Sequence, residues 1–298
     1  MNKNFLKLFF LIIILVFSFI FKGFNYKYSF TIDQTPSVIF DHLSKWNGIE
    51  GEKSSFIDEF QNYESKTIHK KIKVKDSIFN LKWKLKQIGD YNTKVIIYAK
   101  DELNFLKQNF LVVNNNNHFR QQSEKYVKEF AKSLIQNKKN YFLSEIEITD
   151  FPNQFSAYIE LESKKEDKAK LMRENIHKVM YYIEDNNIDM IAAPFVEVTN
   201  WNFKNDLIKF NFSFPIVERN FQKNNKVKFS KTPQQKALKI VFNGNYKISD
   251  MAWLTLVDYA NYNNIPVKLK PIEIYLDDPH GGGNDLEWEA NVYLPLKN

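Results

Sequence analysis

Two stretches near the end of the chain carry side chains able to recognise a charged molecule. Within 271–276, Glu273 and Tyr275 stand two residues apart. Within 287–294, Glu287, Glu289, Asn291 and Tyr293 alternate with Trp288, Ala290, Val292 and Leu294. Residues two apart on a strand share a face. One face of the last strand is thus apolar, and the other offers carboxylates, an amide and a phenol. In the strand before it, Ile272, Ile274 and Leu276 form the apolar set, opposite Glu273 and Tyr275. Packing both apolar sets on a helix would gather Glu273, Tyr275, Glu289, Asn291 and Tyr293 on one open surface. Carboxylates beside aromatic rings suit an organic cation, by charge and by cation–π contact.

Other chemistries are poorly served. The chain has no cysteine, which excludes disulfides, thiolate zinc sites and cysteine nucleophiles. Its histidines, at 42, 69, 118, 177 and 280, have no metal-ligand spacing. His280-Gly281-Gly282-Gly283 looks like the oxyanion loop of some lipases, but no Gly-x-Ser-x-Gly accompanies it, so it reads as a hairpin loop. No cofactor and no metal are expected. The net charge of +7 is uneven: residues 27–140 hold 20 basic and 13 acidic side chains, and 141–298 hold 19 and 22. The basicity therefore belongs to the middle segment. There Lys71, Lys73 and Lys75, and Lys82, Lys84 and Lys86, alternate with apolar residues, the mark of a solvated outer sheet face. They lack interleaved aromatic stacking partners, and no nucleic-acid partner is expected.

The elements that would position the polar residues come in duplicate. Asn186-Asn187-Ile188, then Pro194, recurs as Asn263-Asn264-Ile265, then Pro271, at an offset of 77. The strand at 210–216 recurs at 290–296, at an offset of 80, which places Asn211 where the second copy has Asn291. Each copy reads strand, helix, strand, strand, and two related units packed together leave a concave seam. The expected organisation is α+β, with a first domain at 27–140 and the repeat at 141–298. Residues 5–21 are apolar apart from Lys7 and Ser18. They read as a membrane anchor or uncleaved signal within 1–26, giving a single-pass protein with its bulk outside the cytoplasm.

Within 27–140 come a strand, a helix opening at Pro36, several alternating stretches, and a long helix at 119–136 with Tyr126, Val127, Phe130, Ala131 and Leu134 on one stripe. The pattern Pro36-Ser37-Val38-Ile39-Phe40 followed by Trp46, with this order of elements, resembles the START-like (SRPBCC, polyketide cyclase) helix-grip fold. That resemblance implies a curved sheet gripping a long helix around an apolar cavity for lipids or other hydrophobic molecules.

The second copy resembles the GyrI-like small-molecule-binding domain, also found as the effector-binding part of AraC- and MerR-type regulators. The landmarks are Gly244-x-Tyr246, Pro271-x-Glu273-x-Tyr275 with Asp278-Pro279, and Asn291-x-Tyr293-x-Pro295. The resemblance implies two βαββ units with pseudo-twofold symmetry around a groove for amphipathic, often cationic, ligands. The chain departs from the family at Asn291, where many members have a glutamate. Glu289 is a possible substitute, or Asn211 and Asn291 form an amide pair that supplies no general base. The function expected is non-catalytic binding or sensing of amphipathic small molecules. Two alternatives stand beside it: a hydrolase or detoxifying enzyme using Glu289 or Glu273 as base, and a lipid-binding protein acting through the START-like cavity.

Overall fold

The computed structural model describes residues 22–49, 55–74, 77–111, 117–203, 205–221, 226–278 and 282–297. The chain divides into two compact units, Met1–Ile135 and Gln136–Asn298.

The first unit holds β1 (Tyr26–Ile32), α1 (Pro36–Lys45), β2 (Ser55–Asn62), β3 (Thr67–Val74), β4 (Ser77–Gln87), β5 (Thr93–Asp101), α2 (Phe105–Leu111) and most of α3 (His118–Lys138). The strands form an antiparallel sheet in the order β1-β5-β4-β3-β2. Period-two alternation sets its faces: Leu81, Trp83 and Leu85 are buried, whereas Lys82, Lys84 and Lys86 are exposed. Pro36 opens α1, where a missing N–H costs nothing. The space beneath α3 is filled by rings, with Phe130 lying 5.2 Å from Trp46 and 4.7 Å from Trp83. A groove of about 850 Å³ opens instead beside it, between edge strand β1 and α3.

The second unit runs β6 (Tyr141–Leu143), β7 (Glu147–Phe151), β8 (Gln154–Lys164), α4 (Lys168–Asp185), β9 (Phe195–Asn202), β10 (Leu207–Pro215), β11 (Lys228–Thr232), β12 (Gln235–Gly244), α5 (Asp250–Tyr262), β13 (Ile272–Tyr275) and β14 (Glu289–Pro295). The repeated Asn-Asn-Ile is the same helix stop in both places. Asn187 and Asn264 adopt left-handed backbone, with φ of 49° and 55°. The N–H groups of Ile188 and Ile265 then donate back to the carbonyls of Ile183 and Ala260, at 3.0 and 2.8 Å. This is the Schellman arrangement, in which asparagine tolerates the left-handed position and an apolar residue follows.

The sheet of this unit closes on itself. Its order is β11-β8-β10-β9-β13-β14-β12-β6, and β7 also pairs with β12. Only Pro152-Asn153 separates β7 from β8, and only Pro233-Gln234 separates β11 from β12. Thr232 faces Gln154 in one ladder and Gln235 faces Phe151 in the next, so one register runs through both. Each proline interrupts the ladder where its missing N–H is not needed. Phe151 on β7 consequently reaches across the ring to Phe195 on β9, at 6.0 Å, and to Tyr293 on β14, at 5.3 Å.

The expected single-pass membrane localisation is corrected. Among the described residues, no helix is long and apolar enough to cross a membrane. The longest helix among the described residues, α3, carries Arg120, Glu124, Lys125, Lys128, Glu129 and Lys132. The stretch at 5–21 on which the anchor was read lies outside the described residues, as do 279–281 of the glycine loop.

Candidate ligand site

The register splits the residues expected to share a groove. β13 pairs with β14 as Ile272↔Tyr293, Glu273↔Val292, Ile274↔Asn291 and Tyr275↔Ala290. Directly opposed residues share a face. Asn291 and Tyr293 therefore lie with Ile272 and Ile274 inside the ring, while Glu273 and Tyr275 lie with Val292 and Ala290 on the side of the helices. Asn211, opposite Glu197, is on the inner face too. Glu289, opposite Asn243 at the start of β14, has the same parity as Asn291. The single surface expected for Glu273, Tyr275, Glu289, Asn291, Tyr293 and Asn211 thus becomes two. Closure of the sheet is the physical reason. Both faces of β13 are covered, so its apolar side need not be its helix side: Ile272, Glu273 and Tyr275 are all buried.

The helix side holds the denser chemistry. Glu273 is 0% exposed and sits between the apolar Val196 and Val292 of the neighbouring strands. The starts of both helices converge on it. Lys168, the first residue of α4 and 1% exposed, donates from Nζ to Glu273 Oε2 and, at 2.8 Å, to Ser249 Oγ just before α5. The Tyr275 hydroxyl donates to the same Oε2, and its oxygen lies 3.8 Å from Met172 Sδ on α4. The Lys168 ammonium stands 4.4 Å from the centre of the Trp253 ring and 6.0 Å from that of Tyr275. Trp201 meets Trp253 edge-on at 5.4 Å and stacks on Phe203 at 4.1 Å.

Three polar atoms in this cluster, Glu273 Oε1 and the indole nitrogens of Trp253 and Trp201, are buried with no hydrogen-bond partner among the described residues. Most buried polar atoms in proteins are satisfied, so three in one cluster single it out as a candidate site. Burial, followed by the Glu273 charge, holds the Tyr275 phenol well above its usual range, so it stays a protonated donor.

The residues around this cluster explain the landmark pattern. The Tyr246 hydroxyl donates to the carbonyl of Glu289 at 2.7 Å, and its ring packs on Tyr275 at 4.8 Å. Asp277 Oδ2 accepts the Glu289 N–H at 2.7 Å. Gly244 has φ of 153°, and a Cβ there would come within 2.9 Å of the Phe242 ring and 3.0 Å of the Asn140 carbonyl. These landmarks brace the β12, β13 and β14 ends that hold Tyr275. Ser249, the residue before α5, makes no side-chain cap hydrogen bond. Its hydroxyl donates instead to the Tyr246 carbonyl and accepts from Lys168.

On the inner face, the half-buried Glu197 accepts from Thr232 Oγ1 at 3.2 Å across the ring. Burial pushes its carboxyl upward, opposed by that hydrogen bond and by Lys270. Tyr158 is raised by burial and then by Glu160, with Glu197 also acting on it. Burial and then Glu147 raise Tyr293. Sequence reasoning missed Glu197, Lys168 and Trp253. Glu197 carried a signal, since Phe195-Val196-Glu197-Val198 alternates as cleanly as the strand holding Glu273. Trp253 did also, because α5 is apolar nearly all round and such helices are buried. Lys168 carried none, since a lysine at a helix start ordinarily reaches water. Among the described residues, no group of three or more metal-binding side chains occurs.

No curated protein matches the chain. Among solved structures, the cryo-EM structure of an EcmrR–DNA complex in EcmrR-RPo is similar at a TM-score of 0.46 and 17% identity, covering 63% of this chain and 76% of that one. The crystal structure of the EcmrR C-terminal domain gives 0.45 and 17%, covering 52% and 98%. SAV2435 bound to tetraphenylphosphonium gives 0.37 and 11%, covering 52% and 95%. The model of the GyrI-like small-molecule-binding domain matches residues 144–297, just over half of the chain. The chain belongs to the GyrI-like family, and the matched residues are those that build the closed sheet and its two helices.

Proposed function

We propose that the second unit binds an amphipathic organic cation around Glu273, and that it does so without catalysis. One observation carries this reading: a fully buried carboxylate, ringed by Trp253 and Tyr275, with one oxygen left unmatched. Aromatic faces and a desolvated carboxylate both favour positive charge over neutral bulk. Glu273 Oε2 already accepts from Lys168 and Tyr275, an arrangement that suits a counter-charge better than a general base. The strand–helix–strand–strand order of β8-α4-β9-β10 and of β12-α5-β13-β14, with the shared Asn-Asn-Ile stops, supports two related copies meeting at the β9–β13 pair.

Titration calorimetry on the full chain tests the reading, with tetraphenylphosphonium as cation and triphenylphosphine oxide as its neutral counterpart. Glu273→Gln should weaken the cation by about tenfold or more, equivalent to about 1.4 kcal/mol, and leave the neutral compound nearly unchanged. Equal losses for both would make the carboxylate structural.

The first unit supports a second, separate reading as a START-like module. Its groove between β1 and α3 sets Tyr26, Tyr28, Phe30, Ile32, Val127 and Ala131 beside the charged Arg120, Glu124 and Lys128, a lining and size suited to one ligand with an apolar body and a polar end. Displacement of a fluorescent fatty acid from the full chain, lost on Ala131→Glu, checks it. Displacement unaffected by that charge would place the ligand elsewhere.

A further inference from the structure

We infer that Lys168 is the resident occupant of the Glu273 site, a cation built into the chain that an incoming ligand must displace. The inference rests on the reading of Glu273 as the ligand's counter-charge, and goes beyond it by naming what holds the site shut. A lysine in the first turn of a helix ordinarily extends its ammonium into water and buries only its stem. Lys168 does the reverse, burying its ammonium at 1% exposure. Every contact it makes is one that an organic cation needs. Glu273 Oε2 supplies the opposite charge, Ser249 Oγ a hydrogen-bond acceptor, and the Trp253 ring an aromatic face at 4.4 Å.

A purely structural pair would be expected to satisfy both carboxylate oxygens, because an unmatched buried oxygen carries a desolvation cost. Glu273 Oε1 is unmatched. The neighbouring buried Lys165 shows the contrast, since it pairs with two carboxylates, Asp250 at 2.9 Å and Asp206 at 3.3 Å. Release of Lys168 needs little else to move. Its backbone N–H is held by the Lys165 carbonyl in the turn that leads into α4, so the backbone stays anchored while the four-carbon stem swings the ammonium towards solvent. The site therefore carries its own competitor, and apparent affinity is set by the difference between ligand and lysine.

The test is calorimetric titration of the full chain with tetraphenylphosphonium, comparing wild type, Lys168→Met, Lys168→Gln and Glu273→Gln. With the competitor removed, Lys168→Met and Lys168→Gln should bind at least about tenfold tighter than wild type. If either variant unfolds alone, tetraphenylphosphonium should restore its fold. Failure to restore it would make Lys168 structural and overturn the inference. Equal or weaker binding by the Lys168 variants, with Glu273→Gln still losing the cation, would also overturn it while leaving the cation site standing. Unchanged binding by Glu273→Gln would remove the site itself and the inference with it.

Discussion

At the scale of single residues, the two carboxylates of the second unit behave differently because their surroundings do. Glu273 has a buried ammonium beside it, whereas Glu197 has a threonine hydroxyl and a more distant Lys270. Burial raises the Glu197 pKa above 4.5, so the folded state favours its neutral form. That contribution is fully present below the unfolded pKa and is lost as pH rises through the higher folded value. Glu197→Gln should therefore raise the melting temperature at pH 7 and flatten its fall on going upward from pH 4.5. A mutant whose melting temperature still falls over that range would assign the effect to another group.

Asn291 supplies a second expectation. It lies on the inner face with Ile274, away from Glu273. Asn291→Glu should leave tetraphenylphosphonium affinity unchanged within about twofold, since a charge behind the sheet is separated from the helix-side box. A gain of tenfold would move the cation site to the inner face. The polar residues themselves were legible in the sequence, and so was their alternation. The side that β13 turns to the helices was not, because period two fixes which residues go together but leaves open which set faces which layer.

At the scale of elements, the helix stops and the lysine-lined strands could be read directly. Each depends on local backbone preference or on alternation within one segment. Asn187 and Asn264 are the clearest case, where one residue type at one position ends a helix. Gly244 is a tighter constraint than its place in a landmark pattern suggests. Its backbone angle and the approach of Phe242 and the Asn140 carbonyl leave no room for a methyl group. Gly244→Ala should cost about 1–3 kcal/mol in urea unfolding, with Tyr275 and Tyr246 losing their order first. A loss below about 0.5 kcal/mol would mean that the β12 end relaxes freely.

At the scale of the whole molecule, closure of the second unit's sheet could not be read beforehand. It depends on pairing between residues 84 to 92 apart, in Glu147–Phe151 and Gln235–Gly244, and on two short proline links that look like ordinary turns in sequence. Hydrogen exchange gives this closure a measurable form. Amides of the β7–β12 and β8–β11 ladders should exchange with the same opening energy as those of the central β9–β13 pair, because a ring has no free seam from which to fray. Faster exchange confined to the two proline-linked ladders would show that the ring opens there separately.

Ligand traffic inherits a constraint from that ring. Two lobes joined along one edge can part like the covers of a book, but strands tied to each other all the way round cannot. With Glu273 as the proposed counter-charge, access to it is then a matter of one side chain moving rather than of two bodies separating. The entry step should belong to the nanosecond-to-microsecond regime of local motion, not the slower regime of hinge opening. Scattering profiles of the second unit's outline should overlay with and without ligand, even where the affinity is high.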